Sequence, residues 1–90
     1  MSTTKKRQQV VINLLNPAEI TLYGIKVKTD LIDLREKKDV QLYEGTSNSG
    51  RTIRVIEKSG FVCEVLRDNI VNIFEGDINI WSKEYKGIIE

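Results

Sequence analysis

Histidine is absent from the chain, and cysteine occurs once, as Cys63. Without histidine there is no imidazole general base, no Ser-His or Cys-His nucleophile pair and no imidazole metal ligand. A structural zinc site is excluded as well, because no second thiol is present to complete a tetrahedral nitrogen and sulfur shell. A lone cysteine cannot form a disulfide within these residues and fits a reducing compartment, so a cytoplasmic location is the expectation. No apolar run approaches the roughly 18 residues of a membrane-spanning helix, and the stretch after the basic start is too short for a signal peptide. No membrane partner is expected. Neither sign of charge dominates: fourteen Lys and Arg face thirteen Asp and Glu, a formal net charge of +1. The chain is therefore no polybasic coat for nucleic acid, and any such contact must come from a local cluster.

Familiar catalytic and ligand-binding motifs are missing too. No phosphate-cradling GxxxxGK[ST] or GxGxxG stretch occurs. Asp30-Leu31-Ile32-Asp33 lacks the alternating ligands and following glycine of a calcium loop. Cys63 lies between Val62 and Glu64 in an apolar segment, with no neighbour to lower its pKa, and reads as a buried structural thiol. These absences describe a binding protein rather than an enzyme, with neither metal nor cofactor.

Ninety residues allow one domain. A domain this short buries roughly 60–65% of the surface its unfolded chain exposes, so its stability is thin. With disulfide and metal excluded, self-association is the usual support, and a homo-oligomer is expected.

What is present is a series of short apolar runs divided by turn signals, the pattern of a mainly β chain. Val10, Ile12 and Leu14 share one strand face, and Asn16-Pro17 signals a turn. Ile20 and Leu22 alternate with polar neighbours. After Gly24 the alternation shifts to Ile25 and Val27, which reads as a bulge or bend in one long strand. Residues 29–39 suit either a short helix capped by Thr29 or Asp30, or continued sheet through Leu31, Ile32 and Leu34. Val40 and Leu42 begin a strand, Glu44 to Gly50 reads as a loop, and Ile53 and Val55 mark the next strand before a turn at Ser59-Gly60. Residues 62–74 read as a helix or as a β-hairpin turning at Asp68-Asn69, the hairpin being favoured by the valines and isoleucines. The division is a basic arm over 1–9, a small β-barrel over 10–75 and an extension over 76–90 that docks on it. In the arm, Lys5, Lys6 and Arg7 precede any acidic residue, so they form either a phosphate-binding cluster or a solvated tail.

Two stretches, in order, resemble the two motifs of the Sm-like RNA-binding family. The first holds Ile12, Leu14 and Asn16, then Gly24 at a bent strand, then Asp30 six residues on. The second is Val65-Leu66-Arg67-Asp68-Asn69-Ile70-Val71-Asn72-Ile73, similar to an apolar strand, a polar turn and a short final strand. The intervening variable loop falls near Gly45 to Gly50. The sequence departs from the family in a longer hairpin after Asn16, in the lack of a base-stacking aromatic after Asp30, and in the missing glycine at the Arg67–Asn69 turn. The resemblance implies a small, strongly bent antiparallel sheet or barrel, Sm-like or SH3-like, with room for one short helix. It also implies a ring of subunits joined last strand to middle strand, and single-stranded RNA bound at a central pore. Loops bearing Asp30 and Arg67-Asp68-Asn69 would converge on the pore, with Arg67 contacting a base or phosphate, Asn69 a base edge, Asp30 orienting its neighbours, and Lys5, Lys6 and Arg7 adding phosphate contacts.

A second reading comes from the residues alone. Near-neutral charge and an apolar tail bearing Trp81 and Tyr85 suit a small accessory protein, of viral or mobile-element type, that binds and modulates a protein partner. Tryptophan and tyrosine are favoured interface anchors. For Trp81 itself, covering the domain's own core is the favoured reading over an interface anchor.

Overall fold

A computed structural model describes residues 5–82. Seven strands follow in order: β1 (Val10–Leu22), β2 (Ile25–Leu34), β3 (Gln41–Ser47), β4 (Gly50–Glu57), β5 (Gly60–Leu66), β6 (Ile70–Glu75) and β7 (Ile78–Ser82). One 3-10 turn, Arg67–Asn69, joins β5 to β6. The strands form two antiparallel sheets, one ordered β2-β1-β6-β7 and the other β3-β4-β5. The mainly β reading therefore holds, with the single short helical element lying between the last two strands of the expected barrel.

The core follows from period-2 alternation. Ile32, Ile12, Ile73 and Trp81 stand opposite one another across all four strands of the first sheet, and each is at most 2% exposed. Leu42, Val55 and Cys63 make the matching row across the second sheet, and all three are fully buried. These rows belong to one apolar cluster between the sheets. Val10, Ile12 and Leu14 face inward as their spacing requires, and so do Ile53 and Val55.

Several local expectations are corrected. Gly24 is not a bend within one strand. Tyr23 and Gly24 form a two-residue hairpin turn between Leu22 and Ile25, with φ of 50° and 81°. Positive φ at both central residues matches the right-handed twist of the flanking strands, which is why a glycine is wanted there. Asn16-Pro17 is no chain reversal, because β1 runs straight through it. The pairing with β2 instead shifts register between Asn13 and Ala18, and a bulge tolerates a residue without an N–H. Residues 29–34 continue β2, so no helix starts at Thr29 or Asp30. The Glu44–Gly50 stretch is mostly strand, the turn being confined to Asn48-Ser49. Gly45 lies within β3 opposite Thr52, and a Cβ there would sit 3.0 Å from Thr52 Oγ1, which favours glycine at this position. Residues 62–74 are β rather than helix but form no hairpin, since β5 pairs with β4 while β6 pairs with β1 and β7. The Arg67–Asn69 turn thus carries the chain from one sheet to the other.

Segments flanking the two sheets are tied to them. Arg7 is 4% exposed. It exchanges backbone hydrogen bonds with Val40 at 2.8 and 2.9 Å, and its guanidinium pairs with Glu75 at 2.9 Å. Of the expected extension over 76–90, Ile78–Ser82 pair with β6 as β7 and 83–90 lie outside the described residues; within β7 the Trp81 N–H donates to Asn79 Oδ1 at 3.0 Å.

Ile12 occupies the middle of the four-strand row, so Ile12→Ala should lower the unfolding free energy by about 2–5 kcal/mol. Urea denaturation at constant slope checks this, and a loss below about 1 kcal/mol would show that the row is loosely packed.

Candidate binding cleft

Pro17 and the adjacent bulge divide β1 into two halves with different neighbours. β6 pairs with Val10 to Leu14 and no further, so from Leu15 onward one edge of β1 has no strand beside it in its own sheet. β5 is the last strand of the other sheet, and among the described residues its edge away from β4 is likewise without a strand. These two edges face each other. At the hairpin tip they touch, where the Tyr23 N–H donates to Val62 O at 2.9 Å. Farther along they part around a cleft of about 330 Å³. Glu19, Ile20 and Thr21 form the β1 wall, and Phe61, Glu64, Val65 and Leu66 form the β5 wall. Asn69, from the 3-10 turn, closes the far end.

The closed end is held by side chains. Tyr23 Oη donates to Glu57 Oε2 at 2.7 Å, and Ser59 donates to the same carboxylate from its hydroxyl and, at 2.8 Å, from its N–H. The Lys37 ammonium sits 5.3 Å from the Tyr23 ring centre. The Ser59 hydroxyl, the Ser59 N–H and then Tyr23 hold the Glu57 carboxyl down at about 2, and burial together with Glu57 raises the Tyr23 phenol to about 12. The left-handed backbone of Tyr23 is thus anchored through its N–H, its hydroxyl and its ring.

On the cleft wall, Glu64 Oε2 accepts from Thr52 Oγ1 at 2.6 Å and from Arg54 Nε at 3.3 Å, and these donors lower its pKa, Thr52 most. Phe61 is 53% exposed on the rim, while Ile20 at 9% and Val65 at 2% are nearly buried.

Of the residues singled out from the sequence, Asn69 alone lines this cleft. Arg67 points elsewhere: its guanidinium lies 5.7 Å from the Trp81 ring centre, with Glu44 at 3.9 Å and 15% of its side chain exposed. Asp68 is exposed beside it. Asp30 lies within β2, opposite the β1 bulge, rather than in a loop converging on the 3-10 turn. Lys5 and Lys6 are exposed, whereas Arg7 is built into the fold. Trp81 is 2% exposed and serves as core, and Tyr85 lies outside the described residues. The sequence reading missed Phe61, Glu19 and Glu64. The available signal was Pro17 inside an alternating strand, which marks where pairing with a neighbour must lapse.

Cys63 does not have the character of an activated nucleophile. Burial pushes the Cys63 thiol up to about 12, and no cluster of three metal-ligating side chains occurs among the described residues.

Two measurements probe this geometry. The folded pKa of Glu57 lies below its ordinary value of 4.5, so its contribution to stability is present above pH 4.5 and lost as pH falls toward 2. The urea midpoint should fall across that window, and Tyr23→Phe combined with Ser59→Ala should make the fall shallower; an unchanged slope would mean these donors do not hold the carboxylate. Arg67→Ala should cost about 1 kcal/mol and shift tryptophan emission, because the Trp81 face loses its cation. A spectrum identical to that of the parent chain would deny the stacking.

No family model, curated protein or solved structure matches this chain.

Proposed function

We propose that the chain is a non-catalytic protein-interaction module that receives an extended segment of a partner in the cleft between β1 and β5. One observation carries this reading: two strand edges that have no neighbouring strand among the described residues face each other beside an exposed phenylalanine. Unpaired strand edges are templates for another chain, and an extended segment entering there gains main-chain hydrogen bonds together with apolar contact. Phe61, standing on the rim, fits the role of an interface anchor.

Single-stranded RNA is the competing ligand, and the local charge favours protein. Glu19 stands exposed on one cleft wall, where it would repel phosphate, and Glu64 on the other is matched by Arg54. The guanidinium that would contact RNA in an Sm-like pore, that of Arg67, is engaged by Trp81 and Glu44. A ring joined through the last barrel strand would also need β7 displaced, because β6 already has β1 on one side and β7 on the other.

A photo-crosslinking benzoylphenylalanine in place of Phe61, introduced in the producing cell, tests the assignment. The expected result is a discrete protein adduct from position 61 and none from the same group placed at Ile25, which is 66% exposed on the hairpin. An RNA adduct, or equal labelling from both positions, would refute it.

A further inference from the structure

We infer that the outer edge of β3 pairs with the same edge of a second copy of this chain, about a two-fold axis at Glu44, so that the smaller sheets of the two copies become one. The contact lies apart from the cleft and does not depend on what the cleft binds.

The hydrogen bonds define the edge. Among the described residues β3 has β4 as its one sheet neighbour. The turn Asn48-Ser49 closes on the Ser47–Gly50 pair, which sets the odd-numbered residues of β3 to bond β4. Val40 agrees with this phase, because its N–H and C=O both go to Arg7. The register with β4 is unbroken from Gln41 to Ser47, so the main-chain groups of Leu42, Glu44 and Thr46 lie on the outer side. No hydrogen bond from the described residues reaches them. Other outer edges carry devices that discourage pairing. β2 bears Lys26, Lys28 and Asp30, and Thr29 Oγ1 accepts from the Leu31 N–H at 3.1 Å and donates to the Leu31 C=O at 3.0 Å. β7 is five residues long and its register slips against β6. β3 contains no lysine, no proline and no bulge.

Register and partner follow from the same strand. β3 runs Gln41–Ser47, so Glu44 is its midpoint. A two-fold axis there lays Leu42 of one copy opposite Thr46 of the other, and every outward N–H and C=O of both strands gains a partner. Sliding by one pair sets Thr46 against Val40, which Arg7 already holds, or Leu42 against Asn48 in the turn. The outer-face side chains fit the centred register. Tyr43 meets Gly45 of the other copy at a position without hydrogen bonds, where side chains approach most closely. Gly45 is bare because a Cβ would sit 3.0 Å from Thr52 Oγ1, and the half-buried Tyr43 supplies the ring that covers the bare backbone opposite. On the other face Glu44 meets its counterpart at the axis. Each carboxylate has its own cation there, Arg67 at 3.9 Å, and Arg51 lines the same hollow. An isologous contact of this kind closes at two copies.

Sedimentation equilibrium of the purified chain tests the pairing, over about 1 µM to about 1 mM because one strand edge is a small interface. The expected result is a monomer–dimer equilibrium with no larger species. Amide hydrogen exchange at Leu42, Glu44 and Thr46 should slow as the dimer forms. Thr46→Pro removes an outward N–H while leaving the bonds to β4 in place, and should weaken association about tenfold or more. Thermal unfolding close to that of the parent chain would show that the fold survives the proline. Should it not survive, Tyr43→Ala keeps every main-chain group and should weaken association several-fold; undiminished association in that variant would sink the register. A dimer indifferent to Thr46→Pro would place the contact on another surface. A monomer at every concentration overturns the inference in either of two ways: freely exchanging amides would mean an edge left open, and protected ones an edge covered by a segment of the same chain. Rings larger than a dimer would exclude the two-fold axis.

Discussion

Strand β1 has to serve two sheets, and the rest of the structure depends on how it does so. Its first half is the centre of the four-strand sheet, with Ile12 between Ile32 and Ile73. Its second half cannot continue that arrangement, because Pro17 has no N–H to give and the register slips around it. The strand keeps β2 as a partner, leaves β6, and carries the hairpin tip across to β5. The tip is then fastened by Tyr23, whose N–H, hydroxyl and ring each find a partner on or near the second sheet. The cleft is what remains between the point where β1 leaves its own sheet and the point where it reaches the other. Its walls are strand edges, so its shape is set by backbone rather than by long mobile side chains.

Much of the core was legible from alternation. Val10, Ile12, Leu14, Ile53 and Val55 could be placed on inward faces because burial on one face imposes a period of two. Pairing was far less legible. A polar turn such as Arg67–Asn69 looks the same whether it reverses a hairpin or carries the chain between sheets, and which strands lie beside it is decided by residues distant in sequence. The Tyr23-Gly24 turn was misread for a related reason. A glycine at a change of parity fits both a bulge and a tight turn, and the partner hydroxyl that favours the turn belongs to a residue whose own partner, Glu57, lies 34 positions away.

The site residues show the same division. Asn69 was reachable from sequence because a polar turn invites attention. Phe61 was not, since an aromatic next to a glycine at a strand start is as often inside as outside. Arg67, Arg7 and Trp81 have the residue types of recognition and do structural work here. Arg7 joins the start of the chain to Val40 and Glu75, and Arg67 covers the tryptophan at the end of the last strand. In a domain this small, long amphipathic side chains contribute apolar stem as well as charge, which suits them to seal the margins of a thin core.

Asn79 bears on a different matter. Its amide oxygen takes up the Trp81 N–H, a backbone donor two residues along the same strand. Lysine guards on sheet edges work by charge repulsion and weaken when salt screens them. An amide guard needs no ionisation. One backbone donor of the terminal strand is therefore occupied to the same degree in brine as in dilute buffer, and on either side of the isoelectric point.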